Sequence, residues 1–334
     1  MPDRPRLTPA VALCRTAVRE ALALVPQREG TEALVALSGG PDSLGLAAAV
    51  AFEAPRAGRR VGAVVVDHGL QEGSGAVAAT AAQKASALGL APVLVRRVLV
   101  GRDGGPEAAA RSARYGAFVS AMAETGATRV LLGHTLDDQA ETVLLGLARG
   151  SGPDAVSGMR RVAPPHLRPL LGLRRATVRA AADAAGLDPW SDPMNRDHRY
   201  RRIRVRDSVL PVLEDALGPG IAEALARTAA QLQEDAEALD ELAAELAPDL
   251  AELAEQGIAL SVAALAANPA ALRHRLIRLA VEDEFALTLT RAQTLAVARL
   301  VTEWHGQGPL DLPGVTVERS GGRIEFRAAG QGRH

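Results

Sequence analysis

The chain has 334 residues, 48% of them hydrophobic, and a formal net charge of −1, which fits one large or two medium domains and is not the signature of a general polycation. Cys14 is the only cysteine, which excludes internal disulfides, cysteine-rich zinc sites and cysteine-ligated iron–sulfur clusters. The N-terminal stretch lacks the form of a signal peptide and the alanine-rich stretches are broken by charge well short of a membrane span, so a cytoplasmic protein with no membrane partner is expected.

In chain order, residues 33–38 predict a buried strand and 42–54 a helix. A strand follows over 61–66, ending at Asp67, then a helix over 74–88 and a strand over 92–98. An amphipathic helix covers 107–124 behind Pro106, a strand 129–133, and a helix 137–149. This alternation predicts an α/β fold, a doubly wound, mainly parallel sheet with helices on both faces. Ligands of such sheets bind beyond the carboxyl ends of the strands, where Ser38, Asp67 and His134 fall. The character then changes. Residues 160–206 hold twelve arginines against Asp183, Asp188, Asp192 and Asp197, whereas 214–256 hold twelve acids against Arg227 alone. The acidic stretch predicts helices, 270–304 a further helical region, and 308–328 a small hairpin around Ser-Gly-Gly. A boundary near 215 separates a catalytic domain, 1–215, from a mostly helical domain, 216–334.

The first functional signal is the stretch SGGPDS, Ser38 to Ser43, between a strand and a helix. A glycine-rich turn there exposes backbone N–H groups beside the positive end of the helix dipole, which makes an anion site. Gly39 and Gly40 allow close approach, Pro41 opens the helix, and Ser38 and Ser43 carry hydroxyls. Asp42 would repel a phosphate unless a cation intervenes, so a Mg²⁺ shared between Asp42 and phosphate oxygens is expected. The lysine-bearing phosphate loop is absent, because Lys84 is the only lysine.

Three further stretches bear on the chemistry. Asp67 and His68 lie past a strand end, where a nucleotide base fits; the alternative is an ordinary polar strand end. Glu107, Arg111 and Arg114 share a helix face that serves either as a phosphate clamp or as a solvated charged face. In HTLDDQAET, His134 leaves a strand while Asp137, Asp138 and Glu141 open the next helix. Acids there either cap the helix or hold an amino group or Mg²⁺.

Ser38–Ser43 resemble the SGGxDS loop of the PP-loop ATP pyrophosphatase family, whose members hold the β- and γ-phosphates of ATP and split it between α and β. Together with VVVDHGLQ, EAAARSARYGAF, LLGHTLDDQAETVLLGLARGSG and RPLLGLRRATVRAAADAAGLDPWSDPMNRD, in this order, the chain is similar to the tRNA(Ile)-lysidine synthase family over about residues 30–230. The resemblance implies ATP-dependent ligation of free L-lysine to the 2-position of the wobble cytidine of tRNA(Ile) with a CAU anticodon, through an adenylated cytidine. It implies that Ser38–Ser43 bind pyrophosphate with Asp42 on Mg²⁺, and that Arg111 or Arg114 faces the α-phosphate. His134 would lie near the base, and Asp137, Asp138 and Glu141 would hold the lysine, their roles undivided. In this setting Arg160, Arg161, Arg174, Arg175, Arg202, Arg204 and Arg206 become a footprint for the tRNA backbone, the alternative being a solvated arginine-rich surface, with Trp190 and Tyr200 available to stack a base, though Trp190 fits the core equally well. Family members often carry R-N-x-x-R before Leu-Pro; here Ile203 replaces that asparagine while Arg202 and Arg206 remain. A homodimer is the candidate assembly. The competing expectations are another PP-loop tRNA-modifying or amide-forming ligase, and an inactive tRNA-binding module.

Overall fold

The computed structural model describes residues 7–69, 71, 73–101, 105–150, 152–190, 194, 197–254 and 257–330. Asp192 and Arg196 of the arginine-rich stretch, and the side chain of Glu107, lie outside the described residues. The chain forms two compact units, 1–232 and 233–334.

The first unit opens with α1 (Pro9–Ala23), capped by Thr8 and burying Cys14, Val18 and Leu22. The α/β alternation follows: β1 (Ala33–Leu37), α2 (Pro41–Arg56), β2 (Val61–Asp67), α3 (Ser74–Ala87), β3 (Val93–Arg97), α4 (Pro106–Thr125), β4 (Arg129–Leu131) and α5 (Leu136–Arg149). Short elements come next: α6 (Pro153–Val156), β5 (Val162–Ala163), β6 (His166–Leu167) and a 3₁₀ turn over Pro169–Gly172. The unit continues with α7 (Arg175–Ala184), α8 (Arg201–Arg204), a π turn over Val205–Val209 and α9 (Leu210–Leu217).

The strands form one sheet in the order β3-β2-β1-β4-β6-β5, parallel throughout except for the β5–β6 pair. The expected doubly wound sheet is therefore present. Chain order reverses between β1 and β4, and the carboxyl ends of those strands open the crevice in which such sheets bind ligands. On one face α1, α2, α3 and α7 cover Val35, Leu37, Ala63 and Val65; on the other, α4 covers Leu34, Val64 and Val130 with Phe118 and Ala121.

The helix α10 (Ile221–Leu250) spans the division between the units. The acidic stretch is thus helical, but Gly218 and Gly220, both at positive φ, separate α9 from α10. Its end, Ala251–Ala254, is strand β7, hydrogen-bonded to β8 (Gly257–Ser261). The expected helical region 270–304 is two helices, α12 (Ala270–Phe285) and α13 (Arg291–Thr302), preceded by the short α11 (Val262–Ala267). Ala286 ends α12 at φ 53, and Thr290 opens α13 with a capping box. The expected hairpin is β10 (Val315–Ser320) with β11 (Arg323–Ala328), but it is the middle of a five-stranded antiparallel sheet, β7-β8-β11-β10-β9, with β9 at Leu310–Leu312. Pairing of Ile324 with Leu260 and of Phe326 with Ile258 buries Leu260, Ile324 and Phe326 together.

Candidate active site

Local chemistry shapes the crevice. Gly39 adopts φ +82, and Gly40 caps α2 without a side-chain bond, leaving the first N–H groups of that helix without a side-chain acceptor. The serines hold the turn together: the Ser38 N–H donates to Ser43 Oγ at 3.2 Å, the Ser43 hydroxyl donates to the Gly40 carbonyl at 3.0 Å, and the two hydroxyls lie 3.1 Å apart. Gly133, leaving β4, passes so close to α2 that a Cβ there would stand 3.0 Å from the Asp42 carbonyl oxygen and 3.2 Å from Ser43 Cα.

A cavity of about 450 Å³ opens over these turns. Ser38, Gly40, Pro41, Asp42, Ser43, Asp67, His68, Arg114, His134, Asp138, Arg175, Arg202 and Arg206 line it, and so do Arg179 and Trp190. Most of the expected site residues therefore converge on one space. The Gly39 carbonyl accepts the Trp190 N–H at 3.0 Å. Of the two clamp candidates, Arg114 lines the cavity and makes no hydrogen bond or ion pair among the described residues, whereas Arg111 donates to the Tyr115 hydroxyl at 3.1 Å. Asp67 accepts the Gly69 N–H at 2.9 Å, and its bond from Ser74 holds its carboxyl below the usual range.

The acids at the start of α5 divide by geometry. Asp138 completes a capping box, accepting the Thr135 N–H and hydroxyl at 2.8 Å each. Asp137 accepts the Arg175 N–H at 2.7 Å, capping α7, and pairs with Arg174. Glu141 is wholly buried and receives Arg175 Nη2 at 3.0 Å, Arg202 Nε at 2.7 Å and Arg206 Nε at 2.7 Å. Arg175 also reaches Asp138 at 2.9 Å and Asp42 at 3.5 Å. Burial pushes Asp138 up, but Arg202 and Arg175 outweigh it and hold it at about 2. Glu141 is likewise lowered: its burial is outweighed by Arg206, Arg202 and Arg175. Burial dominates at Asp42, whose carboxyl is pushed up to about 6 with Oδ1 buried and, among the described residues, unpartnered. Burial also lowers His134 to about 3, with Arg202, Arg168 and Arg114 adding to it, so this imidazole is neutral.

Within the arginine-rich stretch, Arg175, Arg202 and Arg206 turn inward onto carboxylates, while Arg160, Arg161 and Arg204 are exposed. Arg161 pairs with Glu20, Arg174 with Glu223, and Arg204 donates to the carbonyls of His198 and Arg199. Ile203 is buried, whereas Arg202 and Arg206 on either side of it reach Glu141. Arg179, one of the twelve arginines but not among the expected site residues, also lines the cavity, and the charge of Arg168 acts on His134. The local signal was the i,i+4 spacing of Arg202 and Arg206, which matches a single buried acid as well as a phosphate ladder.

Comparison with known proteins agrees with this geometry. The PP-loop domain family matches residues 14–213, and a second family, described as the TilS substrate binding domain, matches 260–325. The chain is 62% identical over 302 residues to the tRNA(Ile)-lysidine synthase of Leifsonia xyli subsp. xyli, covering 90% of this chain and 91% of that one. It is 53% identical to that of Thermobifida fusca over 309 residues, 92% and 94% of the two chains. Among solved structures it is similar to the U34-tRNA thiolase NcsA from Methanococcus maripaludis with its [4Fe-4S] cluster. The TM-score is 0.56 at 19% identity over 67% of this chain and 80% of that one, a likeness of fold. With a PP-loop domain over most of its length and curated relatives matching it nearly end to end, the chain belongs to the tRNA(Ile)-lysidine synthase family.

Proposed function

We propose that this chain ligates free L-lysine to the 2-position of the wobble cytidine of CAU-anticodon tRNA(Ile), using ATP and releasing AMP and pyrophosphate. The observation that carries the reading is the shared cavity: the Ser38–Ser43 turn, Arg114, unpaired among the described residues, and the neutral His134 face one space at the sheet's switch point. The backbone N–H groups at the start of α2 bind the pyrophosphate unit, in place of the lysine that other phosphate loops use. Arg114 faces the α-phosphate and stabilises charge as pyrophosphate leaves.

Among the described residues no group of three or more metal-ligating side chains occurs. A Mg²⁺ held by one carboxylate and substrate phosphates needs none, and the buried, unpartnered Oδ1 of Asp42 fits that role. Bound there, the metal would neutralise phosphate charge; the other roles belong to the protein. Neutral His134 contacts the cytidine. Of the three α5 acids, we assign to the lysine only Asp138, because it alone lines the cavity; it is paired there with Arg175 at 2.9 Å and more loosely with Arg202 at 3.4 Å and Arg206 at 3.7 Å, so an ammonium would share it with those guanidiniums. Asp137 caps α7, and Glu141 fixes three guanidiniums. The attacking amine must be neutral, and a nearby carboxylate accepts its proton.

ATP chemistry is assigned to 1–215 and tRNA holding to 216–334 with the exposed arginines. A homodimer, checked by light scattering, and a cytoplasmic location complete the proposal. Sulfur transfer is not favoured: Cys14, the sole thiol, is buried in α1 and pushed up to about 11 by that burial. The test is incorporation of labelled lysine into two tRNA(Ile) transcripts, with CAU and GAU anticodons, with and without ATP. Label in the CAU transcript alone, dependent on ATP, is expected; AMP release driven by another acceptor would redirect the chain to a different PP-loop reaction.

A further inference from the structure

Helix α7 brings a further cation to the cavity. Arg179 stands one turn beyond Arg175 on the same helical face, about 6 Å further along the axis, and both line the cavity. The helix lies tight against α2: a Cβ at Gly45 would stand 2.8 Å from Val178 Cγ1 and 3.0 Å from the Val178 carbonyl oxygen, and Arg175 Nε lies 3.5 Å from Asp42 Oδ2. Beyond α7 the chain returns to the same turn, where the Trp190 N–H donates to the Gly39 carbonyl at 3.0 Å. Arg179 is thus flanked along the chain, before and after, by contacts with the Ser38–Ser43 turn. Five arginines line the cavity among the described residues. Arg175, Arg202 and Arg206 are engaged by Asp138 and Glu141, whereas Arg114 and the exposed Arg179 make no hydrogen bond or ion pair among the described residues.

We infer that Arg179 holds the pyrophosphate end of ATP, opposite Arg114, so that one guanidinium stands on each side of the α,β bridge that breaks. The inference rests on the ATP half of the reaction proposed above. The two open cations reach the cavity from opposite faces of the sheet, Arg114 on α4 and Arg179 on α7. The charge of Arg114 acts on His68 and His134, past the ends of β2 and β4, whereas that of Arg179 acts on Asp42 in the turn. The phosphates nearest Arg179 are therefore those over the first N–H groups of α2. The turn has no lysine of its own, and Lys84 is tied to the Asp188 carbonyl, so Arg179 is the cation available beside it. As the cytidine 2-oxygen bonds to the α-phosphorus, the bond from that phosphorus to the bridging oxygen breaks and its electron pair stays with pyrophosphate. Arg179 stabilises the charge gained there, and its fork spans two phosphate oxygens. An RNA phosphodiester fits less well, since it carries a single charge, whereas the pyrophosphate end gathers several between Arg179 and the start of α2.

The experiment is calorimetry on the full-length protein with Mg²⁺ and three ligands: inorganic pyrophosphate, AMP, and α,β-methylene ATP, which carries both ends and resists cleavage between them. Arg179→Gln should weaken pyrophosphate and the ATP analogue about 10- to 100-fold, the value of a charge-assisted contact, and leave AMP and the CAU transcript at wild-type affinity. Arg114→Gln should do the reverse, weakening AMP and sparing pyrophosphate. Arg179→Lys keeps the charge without the fork and should weaken pyrophosphate only several-fold; this variant decides the question if Arg179→Gln melts below wild type. Unchanged pyrophosphate affinity in Arg179→Gln overturns the assignment. So does an equal loss with AMP and pyrophosphate, which would make Arg179 structural, or a loss of transcript affinity alone, which would give it to an RNA phosphodiester. Wild type that binds none of the three ligands would sink the ATP reading itself and the assignment with it, a result separable from any effect of Arg179.

Discussion

At the scale of single residues, the site is governed by which charges have partners. Glu141 is wholly buried under three guanidiniums, so removing its charge without changing its shape leaves cations buried and uncompensated. Glu141→Gln should destabilise the protein by about 3–5 kcal/mol, read by denaturant melts. The pH dependence follows from direction. Asp138 and Glu141 are both held below their ordinary values, so their contribution is present in full above about pH 4.5 and is lost as pH falls through their folded values, about 2 for Asp138. The gap in melting temperature between wild type and Glu141→Gln should therefore narrow below pH 4; a gap constant down to pH 3 would deny the carboxylate its role in this network. Asp42 is the opposite case, a carboxyl raised by burial with an oxygen that none of the described residues satisfies. Asp42→Asn should melt no lower than wild type in the absence of Mg²⁺, yet lose more than 100-fold in ATP-dependent turnover with tRNA binding intact. Normal turnover would remove Asp42 from the metal role.

At the scale of elements, the crevice depends on how closely β4's exit passes α2. The atoms a Cβ at Gly133 would meet are backbone atoms of Asp42 and Ser43, which cannot swing away. Gly133→Ala should cost about 1–3 kcal/mol and raise the KM for ATP more than that for tRNA. Gly116, inside α4 with open space around its Cα, is the control: alanine there should stabilise by about 1 kcal/mol and leave both constants alone. Elements of this kind were legible in advance because buried strand runs, glycine turns and helix starts are local signals. All four strands and four helices between 33 and 149 follow them. Where composition stood in for pattern, the reading missed. Ala251–Ala254 has the alanine and glutamate of a helix but is a strand, because pairing with Gly257–Ser261 and hence with β11 decides it. The helix α1 went unread although Cys14, Val18 and Leu22 repeat at helical spacing. The inward turn of Arg202 and Arg206 was hidden for a related reason: twelve arginines in a row of text look like one surface, and only the fold shows that some of them face a buried acid.

At the scale of the whole molecule, a chain of net charge −1 must hold a polyanion with a local surface. The structure separates the arginines by availability. Arg175, Arg202 and Arg206 are engaged internally, so substituting them perturbs the carboxylate network and reports on fold as much as on RNA. Arg161 and Arg204 are exposed. The first pairs with Glu20 across solvent, a contact worth little, and the second touches only backbone carbonyls, so both charges remain available to phosphates. Counterion release converts that difference into a slope. The double variant Arg161→Gln/Arg204→Gln should flatten the dependence of log binding constant on log salt by about 1.4–1.8, two contacts at roughly 0.7–0.9 each. Its melting temperature and its turnover at saturating tRNA should stay at the wild-type values, because neither residue lines the cavity among the described residues. Filter binding of the CAU transcript between low and moderate salt reads the slope directly. An unchanged slope would take these arginines off the tRNA and return them to an ordinary solvated surface, while a loss of turnover at saturating tRNA would mean that the arginine-rich segment orders the active site rather than holding RNA.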